Sequence, residues 1–205
     1  MNTTTTASNS SYLFKMLACA TSLLLCAGLA CAATVAEDPV VKSPDTLSIY
    51  NSTLLLNGAG VYSGSKNQKY AVQIYAKQKF KSLPDLLAAP GPKRMVITAV
   101  REVDMLRIVT ALNRSVGEVA DKNDLSKLYP GLDNIGKLAK SHPVLKPGSV
   151  MTLDWIPVFG MTIYIDGQLQ GDPQRHPELF KGAVAVWLGD APLDEGLKQS
   201  LLAGK

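Results

Sequence analysis

The sequence predicts an α+β domain in which helices cover one face of a mostly antiparallel sheet. Three observations carry that prediction: short segments whose apolar and polar residues alternate at period two, longer segments with apolar stripes at helical spacing, and an order of strands, helices, strands, helices that keeps the two kinds apart.

Alternation marks strands at 47–56, 70–77 and 94–100, each with one apolar and one polar face. From Asp104 to Ala120 the apolar positions Leu106, Val109, Leu112 and Val116 recur every three or four residues, and Asp104 is placed to cap the helix start. A second helical stretch spans 124–140 on the stripe Leu125, Leu128, Leu132, Ile135 and Leu138, with Pro130-Gly131 expected to kink or split it. Segments 149–155 and 160–165 alternate again around Pro157, and Asp166-Gly167 reads as a tight hairpin turn leading into Gln168 and Leu169. Two helices, 177–188 and 193–202, close the chain. Gly189 stops the first and Pro192 precedes the second.

Residues 1–33 read as an export signal: a polar start with Lys15, an apolar run from Met16 to Leu29, and small residues before Ala33. The apolar run is shorter than the roughly 20 residues a bilayer demands, so no transmembrane span is expected in the mature chain. Lipid anchoring at Cys31, after Gly28-Leu29-Ala30, is the second reading. Polar residues with Pro39 and Pro44 then make 34–46 a flexible leader, and the folded domain is expected over 47–205. The expected location is the exported compartment, the periplasm.

All three cysteines, Cys19, Cys26 and Cys31, fall in the export signal, so a chain cut before Ala33 has no disulfide, thiolate nucleophile or zinc-cysteine site. Cleavage removes Lys15 alone among charged residues, taking the net charge from +4 to +3. That balance, with lysines and arginines scattered and without interleaved aromatics, argues against nucleic acid. His142 and His176 each stand beside a proline without ligand-spaced partners, so no metal is expected. Gly58-Ala59-Gly60 has Ser63 where a dinucleotide loop needs its third glycine, and no Gly-x-Ser-x-Gly elbow occurs. No cofactor is expected. Tight packing is the better account of these glycines, and Trp155 and Trp187 read as core anchors between sheet and helices.

Four landmarks in order carry a family resemblance: Leu56-Asn57-Gly58-Ala59-Gly60, the strand Tyr70–Tyr75, the helix after Arg101-Glu102-Val103-Asp104, and 184–190 ahead of Leu193-Asp194-Glu195-Gly196-Leu197-Lys198. From about Leu47 to Leu202 the chain resembles the chalcone isomerase-like family, and its leader-bearing form is similar to the family's bacterial members. The resemblance implies an open-faced β-sandwich with a ligand cleft between a large antiparallel sheet and a layer of helices.

The plant enzymes of that family close a flavanone ring within one molecule, and the negative charge that builds on the carbonyl oxygen needs preorganised donors or cations. The family's five polar positions fall here on Tyr62 (an arginine in the enzymes), Tyr70 (a threonine), Leu106 (a tyrosine), Asn113 (an asparagine) and Val186 (a hydroxyl residue). One amide is kept and the cation is gone. The expectation is therefore a non-catalytic binder of a small hydrophobic or fatty-acid-like ligand, with Tyr62, Tyr70 and Asn113 at its polar head and Lys69 or Arg101 as sources of charge. An isomerase or intramolecular lyase with an altered site is the other reading, resting on the resemblance. No protein partner is legible.

Overall fold

The computed structural model describes residues 41–64 and 68–204. These belong to one unit, Glu37–Lys205, while residues 1–33, expected to be an export signal, and the expected leader up to residue 40 lie outside the described residues. The alternating segments form a seven-stranded sheet from β1 (Thr46–Ile49), β2 (Ser52–Ser63), β3 (Lys69–Ala76), β4 (Lys93–Ala99), β7 (Val150–Ile156), β8 (Gly160–Ile165) and β9 (Gln168–Leu169). They lie side by side in that order, each antiparallel to the next. A two-residue ladder, β5 (Val103–Asp104) with β6 (Val144–Leu145), ties the start of α2 (Met105–Val119) to the end of α3 (Leu125–Ser141). The other helices are α1 (Leu83–Ala88), α4 (Pro177–Leu188) and α5 (Glu195–Leu202).

The inward residues of the sheet, Val72, Ile74, Met95, Ile97, Leu153 and Met161, are buried under α4. That helix is apolar almost all round because it is the middle layer, with the sheet on one side and α2 on the other. Gly182 allows the close approach, since a side chain there would meet Val116 of α2. α5 lies on β2, where a Cβ on Gly58 would collide with the Ser200 and Leu201 carbonyls. The paired glycines thus serve packing. Asn57 is the extra residue of a bulge in β2, where the register shifts between Leu56 and Gly58. It turns inward, donating from Nδ2 to the Leu201 carbonyl at 2.8 Å and accepting from the Phe80 amide at 2.8 Å.

Several expectations are corrected in detail. The segment 47–56 is a hairpin, because Tyr50 and Asn51 both take positive φ and reverse the chain between β1 and β2. The hairpin curls over the outer face of the sheet, where Tyr50 and Tyr164 share a hydroxyl hydrogen bond of 2.8 Å. Pro130 does not split α3, which runs unbroken from Leu125 to Ser141; Leu128, Ile135 and Ala139 hold it to the core, and Gly131 leaves room for Leu179. Residues 42–44, read from sequence as part of the leader, lie against the outer face. Gln73 Nε2 donates to the Lys42 carbonyl at 3.0 Å and to Ser43 Oγ at 2.9 Å, and Tyr75 donates to the Pro44 carbonyl at 3.2 Å.

The turn between β7 and β8 is unusual. Ile156 pairs with Gly160, Pro157 opens the turn, and the Phe159 amide donates to the Ile156 carbonyl at 3.1 Å. Val158, with φ of 71°, occupies the position of such a turn that glycine ordinarily fills, and its side chain is fully exposed. A branched side chain there is strained and buries nothing. Val158→Gly is therefore expected to raise unfolding free energy by about 1 kcal/mol, read from urea or thermal melts.

Candidate functional site

A cleft of about 480 Å³ opens where the β2–β3 hairpin faces α2. Its sheet wall is built by register. Tyr62 and Tyr70 are direct cross-strand partners on the inward face, and their rings stack with centroids 4.7 Å apart and planes at 26°. Behind them Trp187 of α4 meets Tyr70 edge-on at 6.4 Å and donates from Nε1 to its hydroxyl at 3.2 Å. Tyr70 is fully buried, Tyr62 only partly, so the pair forms a ladder of rings running from core to cleft. Burial pushes the Tyr70 phenol above its ordinary range, with the neighbouring Tyr62 and Asp194 adding to the rise and the Trp187 bond opposing it. Tyr70 is a neutral phenol at physiological pH, suited to hydrogen bonding and not to action as a base.

The opposite wall is α2, begun by Asp104, whose carboxylate accepts from the Leu106 amide at 2.9 Å as the sequence predicted. Ile108 and Ala111 form its apolar floor, with Leu106 and Thr110 at the rim and Leu193 and Gln68 completing the lining. Two cations stand on this wall, Arg107 and Arg114, seven residues apart and hence on one side of the helix. Arg107 Nε is 3.7 Å from Asp104 Oδ2; Arg114 Nε is 3.8 Å from Glu118 Oε1, and its Nη2 donates to the Ala191 carbonyl at 3.3 Å. Both ion pairs are largely solvated, so they restrain the guanidinium groups weakly.

Of the five positions predicted from sequence, the structure brings together Tyr62 and Tyr70 and places Leu106 at the rim. Asn113 is corrected. It is exposed and does not line the cleft, because it follows Ala111 by two residues, roughly 200° round the helix. Val186 is fully buried in α4, as core. Lys69 and Arg101 do not line the cleft either. Arg107 and Arg114 escaped the sequence reading, although their seven-residue spacing was the available signal. His142 ends α3 and His176 begins α4, and among the described residues no cluster of metal-binding side chains forms.

A second groove of about 390 Å³ lies between α3 and the β8–β9 end of the sheet. Ile135, Leu138, Met161 and Ile163 supply its apolar surface, with Asn134, Lys137 and Asp172 among its polar lining. It has no aromatic wall and no paired cations, the two features that give the first cleft a chemical preference.

An antiparallel sheet roofed on one face by helices, with an aromatic-walled cleft between its long hairpin and a crossing helix, defines an open-faced β-sandwich built around a ligand space. The chain belongs to the chalcone isomerase-like family, whose model matches residues 36–203. No curated protein matches it. Among solved structures it is similar to a fatty-acid binding protein of Arabidopsis thaliana, at 19% identity and a TM-score of 0.58 over 78% of this chain and 90% of that one. The fold is that of chalcone isomerase. Among the described residues no helix is long and apolar enough to cross a membrane.

Proposed function

We propose that this protein is an exported, non-catalytic carrier that holds a small hydrophobic anion, of the fatty-acid kind, in the Tyr62–Arg107 cleft. The observation that carries the reading is the pairing of walls: stacked tyrosines on the sheet side, and on the α2 side an apolar floor of Ile108 and Ala111 bracketed by Arg107 and Arg114. An apolar body and one negative head match that division, and the volume falls in the range of small-molecule sites. The Arabidopsis protein of the same fold, named for fatty-acid binding, adds support. Where the plant isomerases carry a strand arginine this chain has Tyr62, so the cation for a carboxylate comes from α2. The same substitution, with Tyr70 locked by Trp187, removes the polar set that ring closure uses. The signal-like pattern of residues 1–33 supports export to a bacterial periplasm, and the mild +3 charge of a chain cut before Ala33 argues against nucleic acid as a partner.

The test is native mass spectrometry of protein purified without detergent, followed by thermal shift with added fatty acids. A discrete adduct with the mass of a long-chain acid is expected. In Arg107→Gln/Arg114→Gln its affinity should fall about 10- to 100-fold, the worth of a charge-assisted hydrogen bond, while the melting temperature of the empty protein stays close to that of the parent. An empty protein with no thermal shift would overturn the reading. Chalcone consumption above the spontaneous rate would replace it with the isomerase one.

A further inference from the structure

The β7–β8 turn is apolar, exposed and strained at once. Val158 is fully exposed and Phe159 half exposed, after Pro157 and Ile156. The fold gains nothing from Val158, since its side chain buries no surface and its φ of 71° favours glycine. A strained outlier that the free protein does not use points to a use elsewhere. It lies far from the cleft. Ala76, Lys93, Trp155 and Met161 are neighbours across four strands at the turn's end of the sheet, whereas Tyr62 and Tyr70 mark the other end, roughly 20 Å away along β3.

Two cations stand at this end of the sheet. Lys77 directly follows β3 at this end and packs on the Gly91 loop, and the Arg175 backbone lies against Gly160 beside the turn. Lys93 and Lys181 are turned away from the tip, their ammonium groups donating to the Ala89, Gly91 and Val119 carbonyls, while Glu178 lines the small groove under Trp155 and Phe180 and Asp172 follows β9. We propose that the Pro157-Val158-Phe159 turn is a membrane-contact tip that inserts its two apolar side chains into the interface of an anionic bilayer, with Lys77 and Arg175 against the lipid head groups. Two apolar side chains give weak, reversible binding, and flanking cations are the second signal that makes such contacts selective for anionic lipid. Docked this way, the protein presents its ligand cleft away from the bilayer.

The test uses the unit Glu37–Lys205, which contains every described strand and helix and lacks the apolar run Met16–Leu29 that would bind lipid by itself. Co-sedimentation is measured with phosphatidylcholine vesicles, with and without phosphatidylglycerol. Binding is expected only with phosphatidylglycerol and should be lost near 1 M salt, where charges are screened within about 3 Å. Val158→Asn, whose side chain is polar and tolerates positive φ, should bind about tenfold more weakly while melting no lower than the parent. Lys77→Glu/Arg175→Glu should abolish binding. Parent protein that stays in the supernatant, or a Val158→Asn variant that sediments as well as the parent, would overturn the proposal. Neither result depends on whether the cleft carries a ligand.

Discussion

Arg94→Met destabilises the protein by about 3–5 kcal/mol, the cost of leaving a buried carboxylate without its partner. Asp154 is fully buried in β7, facing the outer side of the sheet, and Arg94 on the neighbouring strand β4 is its direct cross-strand partner. The guanidinium reaches it with two parallel bonds, Nε to Oδ1 and Nη2 to Oδ2, each 2.6 Å. Around them Tyr50 and Tyr164 close the space, because the β1–β2 hairpin has curled over this part of the sheet. The same curl adds a small second core of Ile49, Leu54 and Tyr75. An arginine partly open to solvent keeps some hydration, which puts the loss toward the lower end of the range. The double change Arg94→Met/Asp154→Leu should recover most of the loss, since a pair of apolar residues asks for no partner. A urea melt series on parent, single and double variants decides it. An additive double variant would show that Arg94 acts through packing alone.

This outer layer was the part least legible in the sequence, for physical reasons. Alternation through Leu47–Leu56 has the same appearance whether or not the chain reverses at Tyr50-Asn51, and a turn with positive φ at a tyrosine breaks the usual chemistry of Asn-Gly and Asp-Gly hairpins. Asp166-Gly167, which obeys that chemistry, was legible, and so were the stripes of α2 and α3, because burial of one helix face leaves a period in the residues, while α4, apolar almost all round, was marked by the glycine that stops it. α1 was missed because a six-residue helix with Leu86 as its one buried side chain leaves no period to read.

The candidate site divides in the same way. Tyr62 and Tyr70 were reached through the family resemblance, and they meet at the cleft because strand register makes them cross-strand partners. Asn113 against Arg107 and Arg114 turns on which side of α2 faces the cleft, and that is set by α4 and the sheet beneath it. An ungapped alignment carries residue identity along a helix but does not fix the rotation of a helix whose exposed arc begins just past its buried stripe. Leu106 shows the limit: it belongs to the apolar repeat in the sequence, yet it is 65% exposed at the cleft rim.

The fold should also be unusually sensitive to alkali. An unfolded tyrosine ionises near pH 10, and burial holds the Tyr70 phenol above that; burial raises Tyr75 too, and Tyr50 is pushed up to about 12 by burial and its bond to Tyr164. Between pH 10 and the folded-state value the unfolded chain has given up a proton that the folded chain keeps. Unfolding is then favoured as pH rises, and the stability these groups contribute is whole below pH 10 and lost above it. For Tyr70 alone the slope is about 1.4 kcal/mol per pH unit, or about 3 kcal/mol by pH 12, with Tyr75 and the more exposed Tyr50 acting in the same direction. Tyr70→Phe separates two consequences of the same hydroxyl. At pH 7 it costs about 1 kcal/mol, because Trp187 Nε1 loses its acceptor. Above pH 10 its stability should fall less steeply than the parent's by about 1.4 kcal/mol per unit, so the two curves converge and then cross. Denaturant melts from pH 8 to about 12 on both proteins measure that difference, with the titration of every lysine and other tyrosine cancelling between them. Parallel curves would mean that Tyr70 ionises freely in the folded protein, and hence that the cleft admits water down to the Trp187 bond.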